Sequence, residues 1–232
     1  VSAAEILAGS ADLLLLGDHA SNAVPVDIDL GIDPALLDNH IAVDIGTAPV
    51  VRLLAARLDA PAILANVSRL VIDLNREPDH VGLIPHRSDG HLIPGNDTAD
   101  RAGRIARFHA PYHRLIHDHI RARRPRLILS IHSFTPCLEH GGTPRPWQVG
   151  VLYNRDPRAA RPAVEFFRDR GFVTGDNEPY SGRLLNATLN RHAEGQGIPS
   201  VAIEIRNDLI RDAEGTELWA GLLAELVEQL LA

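Results

Sequence analysis

Cysteine is almost missing from this chain. Cys137 is the single one in 232 residues, so no internal disulfide can form and no cysteine-based zinc knuckle can be built. That usage fits a reducing cytosol. With no base beside it in the sequence, the thiol reads as a small packed or exposed group rather than a nucleophile. Long apolar runs are also lacking, and none approaches the ~20 residues of a membrane span. The first residues do not show the basic-then-apolar order of a secretory signal, because Asp12 directly precedes a run of leucines. Nor is there any excess of positive charge. Lys and Arg number 23 against 30 Asp and Glu, for a formal charge of -7, which argues against a general nucleic-acid or anionic-membrane binder. The basic cluster Arg121-Ala122-Arg123-Arg124 reads as an exposed helix end, where arginine complements the helix dipole. The expectation is a soluble, cytoplasmic protein.

What is present is enough apolar material for a core: 45% hydrophobic and 23% charged residues, ordinary values for a globular chain. No repeat, low-complexity linker or composition shift divides residues 1–232, so one domain is expected. The apolar residues come in short runs that stop at polar ones. Leu13-Leu14-Leu15-Leu16 ends at Gly17-Asp18-His19, and Leu127-Ile128-Leu129-Ser130-Ile131 ends at His132-Ser133. Val201-Ala202-Ile203-Glu204-Ile205 carries a carboxylate where an apolar residue is expected. Such runs are buried strands of a mostly parallel sheet. Further strands are expected at Ile63–Ala65, Leu70–Leu74, Val149–Tyr153 and Phe172–Val173. Helices are expected at Gly46–Leu58, Thr98–Arg123 (bent or restarted at Pro111), Pro157–Arg170 and Thr216–Leu231. The last carries Leu218, Leu222, Leu226 and Leu230. Val1–Ser10 reads as a lead-in of one helical turn, and Asp33-Pro34 as a helix start. The alternation of strand and helix gives an α/β layer fold. The stretch Glu77–Asn96, rich in Pro, Gly, His and Asp, is a long loop of the kind that is usually functional or mobile.

Ligands of parallel sheets bind beyond the carboxyl ends of the strands. His19, His132 and Glu204 would converge there. Two neutral imidazoles and a carboxylate, with one position open to water, are what a hydrolytic zinc site requires. The other histidines read as ordinary. His109, His113 and His117 have a metal-compatible spacing on one helix, but a solvated or partly packed face explains them. His40 is accounted for by capping or surface pairing, and His86 and His91 lie in the long loop within reach of substrate.

A second signature is Arg69-Leu70-Val71-Ile72-Asp73-Leu74-Asn75-Arg76. On a strand, alternation would place Asp73 and Asn75 on one side, with Arg76 emerging at the end. A guanidinium fork beside an amide suits bidentate capture of a carboxylate. For Arg69, an ion pair with Asp73 is the competing role.

These pieces carry a resemblance. Gly17–Asn22, His40–Gly46, Ser68–Arg76, Pro111-Tyr112-His113, Ser130–Ser133, Asn177–Gly182 and Ala202–Arg206, taken in order, resemble the N-formylglutamate amidohydrolase family. That family is related to the zinc carboxypeptidases and aspartoacylase-type deacylases. The resemblance implies a single-domain, three-layer α/β sandwich with a mostly parallel, mixed and twisted sheet, of the zinc-carboxypeptidase and phosphorylase/hydrolase-like kind. It also implies that His19 and His132 bind Zn2+, or another divalent metal, and that Glu204 is the general base and acid. Arg69 would polarise the scissile carbonyl or assist the grip on the substrate α-carboxylate. Asn75 and Arg76 would hold the substrate α-carboxylate, with Tyr180 and Arg206 as further substrate contacts.

One position departs from the pattern. The wider carboxypeptidase group has a glutamate three residues after the first histidine, where this chain has Asn22. Asp44 is the candidate to replace it, an N-cap of the following helix being its alternative role. The expected activity is hydrolysis of the amide of an N-formyl or N-acyl acidic amino acid, a small-molecule substrate. The rivals are a zinc carboxypeptidase or peptide amidase on a larger substrate, and a non-catalytic small-molecule binder. A serine hydrolase using Ser130 or Ser133 with His132 is the remaining rival, and it is disfavoured for Ser133, whose place next to His132 on the strand points it to the opposite face.

Overall fold

The computed structural model describes residues 2–232. In chain order the strands are β1 (Ala4–Leu7), β2 (Leu13–Gly17), β3 (Ala62–Ala65), β4 (Arg87–Ser88), β5 (His91–Leu92), β6 (Leu127–Phe134), β7 (Val149–Leu152), β8 (Thr174–Asp176) and β9 (Ser200–Arg206). The helices are α1 (Thr47–Leu58), α2 (Arg101–Arg104), α3 (Ala110–Arg123), α4 (Ala160–Asp169), α5 (Ala187–His192) and α6 (Ala213–Leu231). Seven strands form one sheet in the order β1-β3-β2-β6-β9-β7-β8. Its centre, β3-β2-β6-β9, is parallel, while β1 and β7 each run antiparallel to their central neighbour. β4 and β5 form a separate small hairpin.

Alternation along the central strands feeds two cores. Leu13, Leu15, Leu129, Ile131, Val201 and Ile203 pack against α1, α4 and α6 on one face. Leu14, Leu16, Ile128 and Ala202 pack against α3 and α5 on the other. The result is one α/β domain of three layers. Complete burial of a leucine, as in Leu14–Leu16, contributes about 1.5–3 kcal/mol. On the α3 side the same alternation turns polar toward the strand ends, through Ser130 and His132 on β6 and Glu204 on β9. His132 and Glu204 are register partners.

Several elements differ from the expectation. Leu70–Leu74 is a turn, although Leu70, Val71, Ile72 and Leu74 are all fully buried. Its backbone bonds elsewhere: the Val71 and Ile72 N–H groups donate to Ser68 O, and Asp73 N–H donates to Leu83 O. Side chains complete the set, Asn96 donating to Leu70 O and Arg104 to Val71 O. A segment satisfied in this way needs no neighbouring strand. The N-terminal segment is strand β1 rather than a helical turn, Val1 lying outside the described residues. The strand placed at Phe172–Val173 begins at Thr174.

The long helical stretch does restart beside Pro111: a π-turn over Ile105–His109 joins α2 to α3, and α3 begins at Ala110 with the proline, which has no N–H to give to the ladder, in its first turn. On α6 the buried stripe is Thr216, Trp219, Ala220, Leu223, Leu226 and Val227, and Leu218 is exposed. A strict repeat of four drifts around a helix of 3.6 residues per turn, so leucines at every fourth position cannot all face the core. The loop Glu77–Asn96 holds the β4–β5 hairpin and two short 3-10 turns.

Candidate active site

His19 follows β2, and the loop carrying it is tied to the loop before α1 by a bond from Asp44 N–H to His19 O, 3.0 Å. Asp44 is not the N-cap of α1. That position is Gly46, with φ 82°, and a Cβ there would lie 2.3 Å from Ile210 O. Only glycine permits this approach. Asp44 is thus left free to turn inward. Its Oδ2 lies 3.3 Å from His19 Nδ1 and 2.9 Å from His132 Nδ1. One donor atom from each of the three lies within 4.8 Å of the others, and all three residues are buried. The imidazole centroids are 5.2 Å apart. Asn22, the alternative ligand, donates to Asp38 instead and does not line the cavity.

The far nitrogen of each ring also meets a carboxylate. His19 Nε2 is 2.7 Å from Asp73 Oδ1, and His132 Nε2 is 3.0 Å from Ser130 Oγ and 3.3 Å from Asp18 Oδ2. Asp18 in turn accepts from Tyr112 and Thr188. A carboxylate behind a histidine fixes its tautomer and raises its basicity. Burial works to raise the pKa of Asp18, yet the His132 and Tyr112 hydrogen bonds and both imidazoles hold it at about 2. Burial likewise opposes ionisation of Asp44, but His19, His132 and Arg69 keep it well below the ordinary carboxylate range.

Glu204 is the contrasting acid. Burial and the charge of Asp44 outweigh the pull of His132 and Arg69 and push it up to about 7. Among the described residues its buried Oε2 has no hydrogen-bond partner. Asp18, Asp44, Asp73 and Glu204 therefore face two imidazoles and the Arg69 guanidinium. This surplus of negative charge overcomes burial and raises both histidines above their ordinary pKa.

A cavity of about 370 Å³ opens onto this cluster, lined by His19, Asp44, Arg69, Asn75, Arg76, Tyr180 and Glu204 among others. Arg69 is gripped on both sides, by Asp44 Oδ1 at 3.1 Å and Asp73 Oδ2 at 2.8 Å. The ion pair weighed against a substrate role is thus formed, although Arg69 still lines the cavity. The Asn75 side-chain Oδ1 accepts from Thr188 N–H at 3.0 Å. The Arg76 Nε stands 3.7 Å from Asp73, its side chain one-fifth exposed. The Tyr180 hydroxyl accepts from Arg145, whose guanidinium also lies over the ring.

Arg206 needs correcting. It pairs with Asp208 at 2.8 Å and does not line the cavity. His86 and His91 pair with Asp97 and Glu139 and stay off the cavity wall, whereas His40 lies on it.

His109 and His113 form no solvated face. Both are buried behind the cavity wall, where His109 Nε2–H donates to Arg76 O at 2.9 Å and His113 Nε2–H donates to Leu74 O at 3.0 Å. His113 Nδ1 then accepts from His192 Nε2–H at 2.8 Å. The spacing of 109 and 113 signalled a shared face but not which way it pointed. Asp18 had no sequence signal beyond standing next to His19.

Residues 11–211 match the family model described as N-formylglutamate amidohydrolase. Among solved structures, the gene product Atu2144 from Agrobacterium tumefaciens shares 32% identity at a TM-score of 0.93, covering 100% of this chain and 95% of its own. The N-formylglutamate amidohydrolase from Ralstonia eutropha JMP134 shares 19% identity at a TM-score of 0.73, covering 99% of this chain and 97% of its own, a likeness of fold. No curated protein matches the chain. This chain belongs to the N-formylglutamate amidohydrolase family, and it is an amidohydrolase, a hydrolase of non-peptide C–N bonds that acts on a small molecule.

Proposed function

We propose that this single-domain enzyme is a zinc-dependent deformylase or deacylase that hydrolyses the amide of an N-formyl or N-acyl acidic amino acid, N-formylglutamate being the type substrate. The observation that carries the reading is the meeting of His19, Asp44 and His132 beside a buried, unpartnered Glu204. The donor set suits zinc, with two imidazole nitrogens and one carboxylate oxygen. The buried surplus of carboxylates suits any dication. When bound, a zinc ion supplies Lewis acidity that polarises the scissile carbonyl and acidifies a water.

The chain's own groups do the rest. Glu204, with a pKa near 7, takes a proton from the attacking water and gives it to the departing amine nitrogen. Asp73 and Asp18 accept from the far ring nitrogens of His19 and His132, which orients the rings so that the nitrogens facing Asp44 would give their lone pairs to the ion. Arg69, fixed between two aspartates, turns its remaining N–H groups toward the oxygen on which charge develops. Arg76 and Asn75 hold the α-carboxylate, and Tyr180 covers it. Arg87 also lines the cavity and forms no ion pair among the described residues, which supports a substrate with a second carboxylate. The single cysteine is compatible with a cytoplasmic setting. Among the described residues no helix is long and apolar enough to cross a membrane.

The test is release of acid from N-formylglutamate and from neutral N-formyl amino acids by zinc-loaded and chelator-treated protein, together with Glu204→Gln. Turnover should favour the acidic substrate, vanish with chelation, and fall roughly 10²–10⁴-fold in the variant, with bound metal retained. Unchanged turnover in Glu204→Gln removes the proposed base. Faster cleavage of longer peptides assigns a peptidase instead.

A further inference from the structure

Two segments that share no strand pairing meet at the mouth of the cavity. One is the β4–β5 hairpin, whose Arg87, Ser88 and Asp89 line the wall. The other follows β6 and contributes Leu138. They join at Asp89. Its carboxylate accepts from the N–H groups of Glu139 at 2.8 Å and His140 at 3.1 Å, and its carbonyl accepts from His140 Nδ1–H at 2.7 Å. His40 Nε2 stands 3.0 Å from the same carboxylate.

The turn is left-handed at both Asp89 (φ 40°) and Gly90 (φ 82°). A Cβ on Gly90 would lie 2.4 Å from the His140 ring, so the ring sits directly on glycine backbone. This seating fixes the imidazole. With Nδ1–H given to a carbonyl, the Nε2 lone pair is left outward, the arrangement found behind metal-ligating histidines. The next residue in the hairpin is His91. Its ring meets that of His140 edge-on at 5.2 Å, and its Nε2 lies 2.8 Å from Glu139 Oε2. One donor atom from each of His91, Glu139 and His140 falls within 4.8 Å of the others.

We propose that His91, Glu139 and His140 bind a second divalent cation of the zinc class, which clips the hairpin to the loop after β6. The donor chemistry is that of a zinc site, two imidazoles and a carboxylate. The site differs from the inner cluster in being open to solvent, with water completing the coordination and a backbone carbonyl, not a carboxylate, behind the histidine. It therefore binds more weakly and is the first to be emptied by a chelator. None of its three residues lines the cavity. Its occupancy acts on the substrate through the wall formed by Arg87 and Asp89, lowering KM and leaving kcat unchanged. Binding of this cation does not depend on the reading of the inner site; the effect on KM rests on the proposed function.

The experiment is equilibrium dialysis of metal-free, full-length protein against zinc chloride, with bound metal measured per chain. Wild type should hold two equivalents, a tight and a weaker one. His91→Gln, in which the amide can still bond Glu139 but is a poor zinc ligand, should hold only the tight one. It should also show the same kcat as wild type and a raised KM. Glu139→Gln should behave alike, which separates lost ligation from a misfolded variant. Asp44→Asn should lose the tight equivalent and keep the weaker one. Two equivalents retained in both His91→Gln and Glu139→Gln overturn the clip, as does a wild type holding a single equivalent that Asp44→Asn abolishes. A single equivalent lost in His91→Gln but kept in Asp44→Asn would uphold the clip and overturn the inner site.

Discussion

Mild acid should destabilise this protein through the histidines behind the cavity wall formed by residues 73–76. Leu74 O can only accept, so His113 carries its proton on Nε2 and offers Nδ1 to the N–H of His192. A second proton on His113 would sit on Nδ1 and face that N–H. Burial, together with the charges of His109, His192 and Arg191, holds His113 at about 3, and burial and Arg191 hold His192 at about 4, against an ordinary value of 6.5. Both folded-state values lie below the unfolded one. The unfolded chain therefore takes up protons first as pH falls, and stability that is fully present above the unfolded pKa is lost below it.

At about pH 5 the linkage relation gives about 2 kcal/mol lost for each histidine. The two share a hydrogen bond and do not titrate independently, so the combined loss is roughly 2–4 kcal/mol. Urea unfolding of wild type and of the double variant His113→Gln/His192→Gln, at about pH 7.5 and about pH 5, isolates this contribution. Other titrating groups cancel in the difference. They include His19 and His132, whose raised values work in the opposite direction. The double variant should be less stable than wild type near neutrality and lose less on acidification. Parallel losses in the two proteins would refute the argument.

Two further outcomes follow from the site. Asp73→Asn removes the charge behind His19 and half the hold on Arg69, and should weaken metal affinity by about 10–100-fold, read by competition with a chromophoric chelator. Unchanged affinity would separate Asp73 from the metal centre. Arg76→Ala should lower kcat/KM for an N-acyl amino acid by about 10–150-fold, the equivalent of ~1.5–3 kcal/mol for a charged hydrogen bond. It should leave cleavage of the corresponding α-carboxamide unaffected, and equal losses on both substrates would remove Arg76 from carboxylate recognition.

Polar residues closing buried strands were visible in the sequence because they break an apolar pattern. His132 and Glu204 interrupt the alternation of β6 and β9, and their register makes them neighbours. His19 ends β2 in the same way. The segment 69–76 stood out in the sequence, and Arg69, Asp73, Asn75 and Arg76 do line the cavity, but its shape was not legible. Its apolar residues suggested a strand, whereas Ser68 O, Leu83 O and the side chains of Asn96 and Arg104, the last three distant in sequence, satisfy its backbone as a turn. Arg206 shows the opposite failure. It shares a strand face with Glu204 but lies beyond the cavity, in reach of Asp208.

The sequence by itself determined the layered α/β class, the three strand ends that carry polar groups, and the absence of disulfide chemistry, because burial periodicity and cysteine count are local properties of the chain. Tertiary structure alone decided that Asp44 rather than Asn22 meets the histidines, that Asp18 and Asp73 stand behind them, and that His113 and His192 stand behind the cavity wall. Each of these depends on polar contacts of about 3 Å between residues 25 to 114 positions apart. No pattern along the chain encodes such distances. They are set where two cores and a sheet register bring the segments together.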